Sequence, residues 1–198
     1  LGVLLCVNGA GGFYSWLRRM LGVESFQDLN ALAESAPVGA NGVLALPYGN
    51  GPERTLGLRA TGAGFLGLDL NRHTQADLAR AAQEAVVFAL KLGCEAFEAV
   101  GIAPKVVRAG TGNMFGSDLF CQSFSTVLGV ELQLFDTDGA SGAARGAGMG
   151  IGSYADVHDA MRGLHPIRSF SPRIDHKVAY ERVYCDWRKL VENRLAEQ

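Results

Sequence analysis

No strong charge of either sign runs through this sequence. Eighteen Lys and Arg stand against 20 Asp and Glu, and the net charge is −2. That balance gives no electrostatic case for a nucleic-acid partner or an anionic membrane surface. Cysteine is sparse: Cys6, Cys94, Cys121 and Cys185 stand far apart, with no CxxC pair and no His-rich partner segment. A disulfide framework or zinc site is therefore not expected, and the four read as reduced core thiols of a cytoplasmic protein. Long apolar runs are missing too. The stretch Leu1 to Val7 is too short to span a bilayer and lacks a basic region before it, so it reads as neither signal peptide nor anchor. Proline is scarce at 6 residues, whereas glycine reaches 26. The glycines gather at Gly9 to Gly12, Gly110 to Gly116 and Gly139 to Gly152, which points to close backbone approaches rather than a disordered linker.

With 198 residues, 48% hydrophobic and 19% charged, one α/β domain with a sizeable core is expected. Its first residue is Leu, inside an apolar run, so the sequence reads as a piece of a longer chain. Phe13 to Leu21 is apolar at helical spacing, and Asp28 to Ser35 forms a second short helix ending before Pro37. Val43 to Tyr48 reads as a buried strand running into the turn formers Gly49 to Arg54, and Gly62 to Leu68 as a second strand or hairpin arm. Thr74 or Asn71 caps the longest helix, which extends to about Val100 with Leu78, Ala82, Ala85, Val86, Ala89 and Leu90 on one apolar face. Lys105 to Arg108 is a strand, Gly116 to Leu128 a helix, Val130 to Phe135 a strand and Ala140 to Met149 a small-residue helix. Asp175 to Glu197 forms an amphipathic tail helix, whose aromatic positions could pack against a partner subunit in a homodimer. The alternation indicates an α/β layer structure.

The strand–loop–helix unit around Ala109-Gly110-Thr111-Gly112-Asn113 carries the most chemistry. Its glycines allow φ > 0 and bring a ligand close to the backbone, while the following helix offers free N–H groups and a positive dipole end. A phosphate or a purine could lie there. The signature GxxxxGK[ST] of a P-loop is absent, and so is the acidic residue that completes a dinucleotide fingerprint.

Asp136 and Asp138, at a strand end, allow a second reading as the paired carboxylates of a haloacid-dehalogenase-type phosphatase holding magnesium. The downstream elements of such an enzyme are missing. The structural reading is that Asp138 or Ser141 caps a helix whose small residues at 142, 143, 146, 147 and 150 press on a neighbouring backbone. His73, His158, His165 and His176 have no acid or nucleophile at motif spacing, and Glu84 reads as a paired core carboxylate. A nucleotide-binding or assembly module without catalysis is a third reading.

Several segments together resemble the carboxy-terminal domain of the FGGY carbohydrate kinases. Leu1-Gly2-Val3-Leu4 and Ser15-Trp16-Leu17-Arg18 are similar to MGV…WLR. Leu46-Pro47-Tyr48-Gly49 with Glu53-Arg54-Thr55 resembles LPYxxGERTP, with Asn50-Gly51-Pro52 inserted and Leu56 in place of Pro. Gly64 to Leu68, Leu78 to Ala81 and Glu84 resemble GxFxGL…LxRAxxEG, and His73 falls near the family's histidine. RAGTGNMFGS and DTDGASGAARGAGMG resemble the version found in a subset of bacterial xylulokinases, and Tyr180 to Trp187 the closing YxxxYxxW/F helix. The resemblance implies a ribonuclease-H-like fold of the actin and hexokinase superfamily, with residues 1–198 forming the second, nucleotide-binding domain of a two-domain sugar kinase. On that reading Gly110, Thr111, Gly112 and Asn113 contact the adenosine, and Gly11 and Ser15 lie near the nucleotide. The cofactors implied are ATP and Mg2+. The sugar, xylulose first among candidates, is bound mainly by the preceding half, which also carries the catalytic base.

Overall fold

A computed structural model describes residues 6–197. The likeness at Leu1 to Leu4 lies outside these residues. Helices α1 (Ala10–Met20) and α2 (Phe26–Ser35) come first, then the hairpin β1 (Leu44–Tyr48) and β2 (Gly62–Leu66). Its antiparallel register runs from Leu44 opposite Leu66 to Tyr48 opposite Gly62. The long helix α3 (Gln75–Glu98) leads into β3 (Val106–Gly110), α4 (Asp118–Leu128) and β4 (Glu131–Phe135). After α5 (Gly139–Gly150) and α6 (Val157–Ala160), β5 (Pro166–Phe170) and α7 (Ile174–Ala196) close the chain. The second sheet has order β3-β4-β5, parallel between the first two and antiparallel between the last two. The α/β layer expectation holds, although the described strands form two small sheets rather than one.

The start of α3 is a local code. Thr74 and Asp77 form a capping box, in which the Asp77 carboxylate accepts the Thr74 backbone N–H at 2.8 Å. That fixes Thr74, and not Asn71, as the cap. One apolar face was expected on this helix, yet every residue from Ala79 to Ala89 is buried. The reason is threefold: alanines at 79, 81, 82, 85 and 89 let neighbours approach closely, α1, α2 and α4 pack on it together with β1 and α7, and the polar residues between are bonded. Arg80 Nε donates to Glu84 Oε1 at 2.6 Å, its guanidinium also reaches the Ala36 carbonyl (3.1 Å) and the Tyr180 hydroxyl (2.7 Å), and Glu84 accepts the Gly39 N–H. Burial pushes the Glu84 carboxyl upward against the opposing pull of Arg80 and the Gly39 N–H. Glu84 is thus the paired core carboxylate its sequence context suggested.

Two apolar clusters flank α3. One holds Phe13, Leu29, Val86, Phe120 and Leu132. The other holds Leu46, Tyr48, Phe88, Tyr184 and Trp187. Tyr180, Tyr184 and Trp187 are therefore buried inside the chain itself, and Trp187 Nε1 donates to the Ala45 carbonyl at 2.8 Å. This removes the ground for a partner subunit seated on those aromatics. Cys121 is a core thiol as expected, but Cys185 is exposed and the other two are half-buried. Among the described residues no helix is long and apolar enough to cross a membrane.

Helix α5 corrects another expectation. Asp138 caps it, accepting the Ser141 N–H at 2.7 Å, but none of its residues is buried. A Cβ on Gly142, Gly146 or Gly150 would meet nothing, and the close approach falls instead at Gly148, under the Tyr154 ring. The small residues are present, but among the described residues no backbone presses on the glycines at 142, 146 and 150. Strand β5 and the short α6 were not anticipated, since Pro166-Ile167-Arg168-Ser169-Phe170 is mostly exposed and shows no alternation.

Candidate functional site

Parallel strands β3 and β4 end side by side, with Gly110 opposite Phe135. Ligands of open α/β sheets bind in the crevice beyond such carboxyl ends. From there the chain passes through Thr111 and Gly112 into a 3-10 turn, Asn113–Gly116, and Ser117 caps α4 by accepting the Phe120 N–H. The loop glycines do not play the parts expected of them. Neither adopts positive φ; the left-handed residue is Asn113, at φ 58. Gly110 is required by packing, because a Cβ there would lie 2.3 Å from the Thr137 carbonyl oxygen, whereas one on Gly112 meets nothing. Asn tolerates the left-handed region better than most residues, and its use here turns the carboxamide out of the loop.

That carboxamide meets α1. A Cβ on Gly11 would sit 2.7 Å from Asn113 Oδ1, so the glycine is what allows the first turn of α1 and the loop to touch. Between them opens a cavity of about 290 Å³ lined by Gly11, Tyr14, Phe26, Asn30, Asn113 and Met114, together with Gln27 and Gly116. The Tyr14 and Phe26 rings stack with centroids 6.1 Å apart, and Arg18 covers Phe26 at 5.1 Å. Burial raises the Tyr14 hydroxyl far above its ordinary range, opposed by a hydrogen bond from Gln83, so it remains a protonated donor. Ring faces, carboxamides and the amides of a helix start that has no side-chain cap among the described residues, in a slot of this size, suit a planar heterocycle better than a flexible chain.

The six residues singled out from sequence are not all brought together. Gly11 and Asn113 line this cavity. Gly110 lines a different one of about 560 Å³, with Arg108, Gln133, Phe135 and Thr137. Thr111 and Gly112 line neither, and Ser15 accepts a hydrogen bond from Arg19 at 3.0 Å on the outer side of α1. Tyr14, Phe26, Gln27 and Asn30 escaped sequence reading because they converge only when α1 and α2 fold against α3. His73 serves a turn: its ring accepts the Asp69 N–H at 2.9 Å and faces the Asn41 carbonyl. Asp138 is occupied as a helix cap, which holds its carboxyl below the usual range through the Ser141 N–H. Among the described residues no group of three or more His, Cys, Asp or Glu stands ready for a metal, so these residues do not by themselves fit Mg2+.

The signature of the FGGY family of carbohydrate kinases, C-terminal domain, matches residues 6–151. The chain belongs to this family. Xylulose kinase of Haemophilus influenzae is 34% identical over 129 residues, 65% of this chain and 26% of that protein. The ligand-bound xylulose kinase of Lactobacillus acidophilus superposes with TM-score 0.82 at 23% identity, over 96% of this chain and 39% of that one. Plasmodium falciparum glycerol kinase with ADP superposes with TM-score 0.76 at 22% identity, over 94% and 37%. These superpositions establish the fold as that of the FGGY sugar kinases, and the family match makes this chain the carboxy-terminal domain of such a kinase. It spans well under half the length of the relatives it matches.

Proposed function

We propose that this chain supplies the nucleotide-binding side of a carbohydrate kinase that phosphorylates a sugar from ATP, with D-xylulose as the leading substrate. One observation carries the reading: Gly11 and Asn113, from two distant family-like segments, meet across a cavity walled by the stacked Tyr14 and Phe26. A purine would slide against those rings, while the Asn113 carboxamide and the amides at the start of α1 bind its edge and ribose. ATP supplies the phosphoryl group. The residues of this chain bind and orient the nucleotide, and Mg2+ would be held by its phosphates and by residues beyond the described ones. The sugar, its catalytic base and the closure that excludes water belong to the preceding half of a protein of the relatives' length. The ADP in the superposed glycerol kinase supports the nucleotide part; the xylulose kinases among the relatives support the sugar. The protein would work in the cytoplasm.

A titration of the chain with ADP tests this directly. Weak binding that falls about five- to tenfold in Asn113→Ala, the effect of one hydrogen bond, is expected. Binding indifferent to Asn113, or hydrolysis of phosphomonoesters lost on Asp136→Asn, would overturn the assignment. D-Xylulose phosphorylation by a full-length parent tests the substrate.

A further inference from the structure

Gln83 has no exposed surface, yet it sits in the middle of the alanine-rich α3. A buried carboxamide is costly unless its donors and acceptor are satisfied. Here they are. Nε2 donates both protons, to the Tyr14 hydroxyl at 2.7 Å and to Asn30 Oδ1 at 2.9 Å. Oε1 accepts the Ser117 hydroxyl at 3.0 Å, and Ser117 in turn caps α4. The Tyr14 hydroxyl donates its own proton to Asn30 Oδ1 at 2.9 Å. One side chain therefore ties α1, α2 and α4 to α3 directly behind the cavity.

These bonds also fix Asn30. Its Oδ1 accepts twice, from Gln83 and from Tyr14, so both lone pairs are engaged. The other end of the same carboxamide is the NH2 group, two donors without a hydrogen-bond partner among the described residues, on a side chain that lines the cavity. We infer that Gln83 is a positioning residue: it locks Asn30 with its NH2 group toward the cavity, so that the site selects a ligand edge carrying an in-plane lone pair, such as a ring nitrogen of adenine. The inference rests on the nucleotide reading of this cavity and adds what that reading lacks, the polarity the base must present. Rotation of Asn30 by half a turn would place its NH2 group against the donors of Gln83 and Tyr14, which is why the orientation is unique while Gln83 holds its own.

Two measurements on the 198-residue chain test this separately. In the 15N-labelled protein, the Gln83 side-chain amide protons exchange slowly with water and those of Asn30 exchange fast. The reverse ranking would overturn the orientation, with no ligand involved. In the second measurement, ADP is compared with its 1-deaza, 3-deaza and 7-deaza analogues. One analogue binds about tenfold more weakly than ADP, the loss of a single hydrogen bond. Gln83→Glu keeps the shape but offers only acceptors, so it turns the Asn30 carboxamide round and brings that penalty within about twofold. Gln83→Met removes one of the two bonds on Asn30 Oδ1 and leaves that of Tyr14, so it lowers the penalty part-way and guards against a variant that fails to fold. Equal affinity for all three analogues and ADP, or a penalty unchanged in both variants, would sink the selectivity. Absence of ADP binding to the unaltered chain would sink the nucleotide reading, whereas the amide exchange judges the Gln83 lock alone.

Discussion

Two adjacent glycines of α1 make a matched experiment. Gly11 and Gly12 lie in the same helical turn, and neither has positive φ. Replacing either by Ala reduces the freedom of the unfolded chain, a gain of up to about 0.5–1 kcal/mol in a helix. What differs is the space. A Cβ on Gly12 meets only the Asn50 side chain at 3.7 Å, an ordinary contact. A Cβ on Gly11 falls 2.7 Å from Asn113 Oδ1, closer than real contacts allow, and a tight 3.1 Å from Nδ2. The Asn113 carboxamide can swing aside at small cost in stability, but then it no longer faces the cavity. Gly12→Ala should therefore raise the melting temperature by up to about 2–4 °C for a chain of this size and leave the Kd for ADP unchanged. Gly11→Ala should melt near the parent and weaken ADP about five- to tenfold, the worth of one neutral hydrogen bond. Calorimetric titration and thermal melts on the same samples read both quantities. Equal ADP affinity in the two variants would refute the assignment of Asn113 to the ligand, because only the first of them displaces its carboxamide.

Other perturbations probe the frame around the site. Gly110→Ala sets a Cβ against the Thr137 carbonyl at 2.3 Å; backbone stands on both sides, so a loss of about 1–3 kcal/mol in urea unfolding is expected. Arg80→Met strands Glu84 in the core and should cost about 3–5 kcal/mol, while Arg80→Met combined with Glu84→Leu should recover much of it; a double variant as unstable as the single would contradict the pairing. Asp77 gives a pH dependence. Burial opposes its ionisation, but hydrogen bonds from the Thr74 backbone and Asn41 outweigh this and hold its carboxyl below the ordinary 3.8. A depressed folded value means the cap's contribution is fully present above that ordinary value and is lost as pH falls through the folded one. Asp77→Asn should flatten that acid limb of the stability profile.

Local codes were legible and meetings between distant segments were not. A cap for α3 at Thr74 or Asn71, the turn after Tyr48 and the strands on either side of α4 follow from residues a few positions apart. The extent of burial around α3 did not, because Arg80 and Gln83 look like a polar face until their partners at Ala36, Tyr180, Tyr14 and Ser117 are known. Helix α5 shows the reverse error. Small residues permit close packing, but only a neighbour makes it happen, and the sequence of a helix contains no information about whether one is there.

The same division runs through the candidate site. Gly11 and Asn113 were singled out through resemblance, but the reason they matter is a close approach of segments about a hundred positions apart, where a Cβ on Gly11 would lie 2.7 Å from Asn113 Oδ1. The loop glycines drew attention for a freedom that they do not use; Asn113 holds the left-handed conformation and Gly110 yields to a carbonyl. A local signal for the rest did exist. In Ala81-Ala82-Gln83-Glu84-Ala85 the neighbours of Gln83 are the residues of a core, and a carboxamide survives in a core only when its hydrogen bonds are made. Such a glutamine by itself implies several partners from other elements. Here those partners are the cap of α4 and two residues of the cavity wall, so the residue that gave the least chemical hint in the sequence sits where the helices of the site are joined.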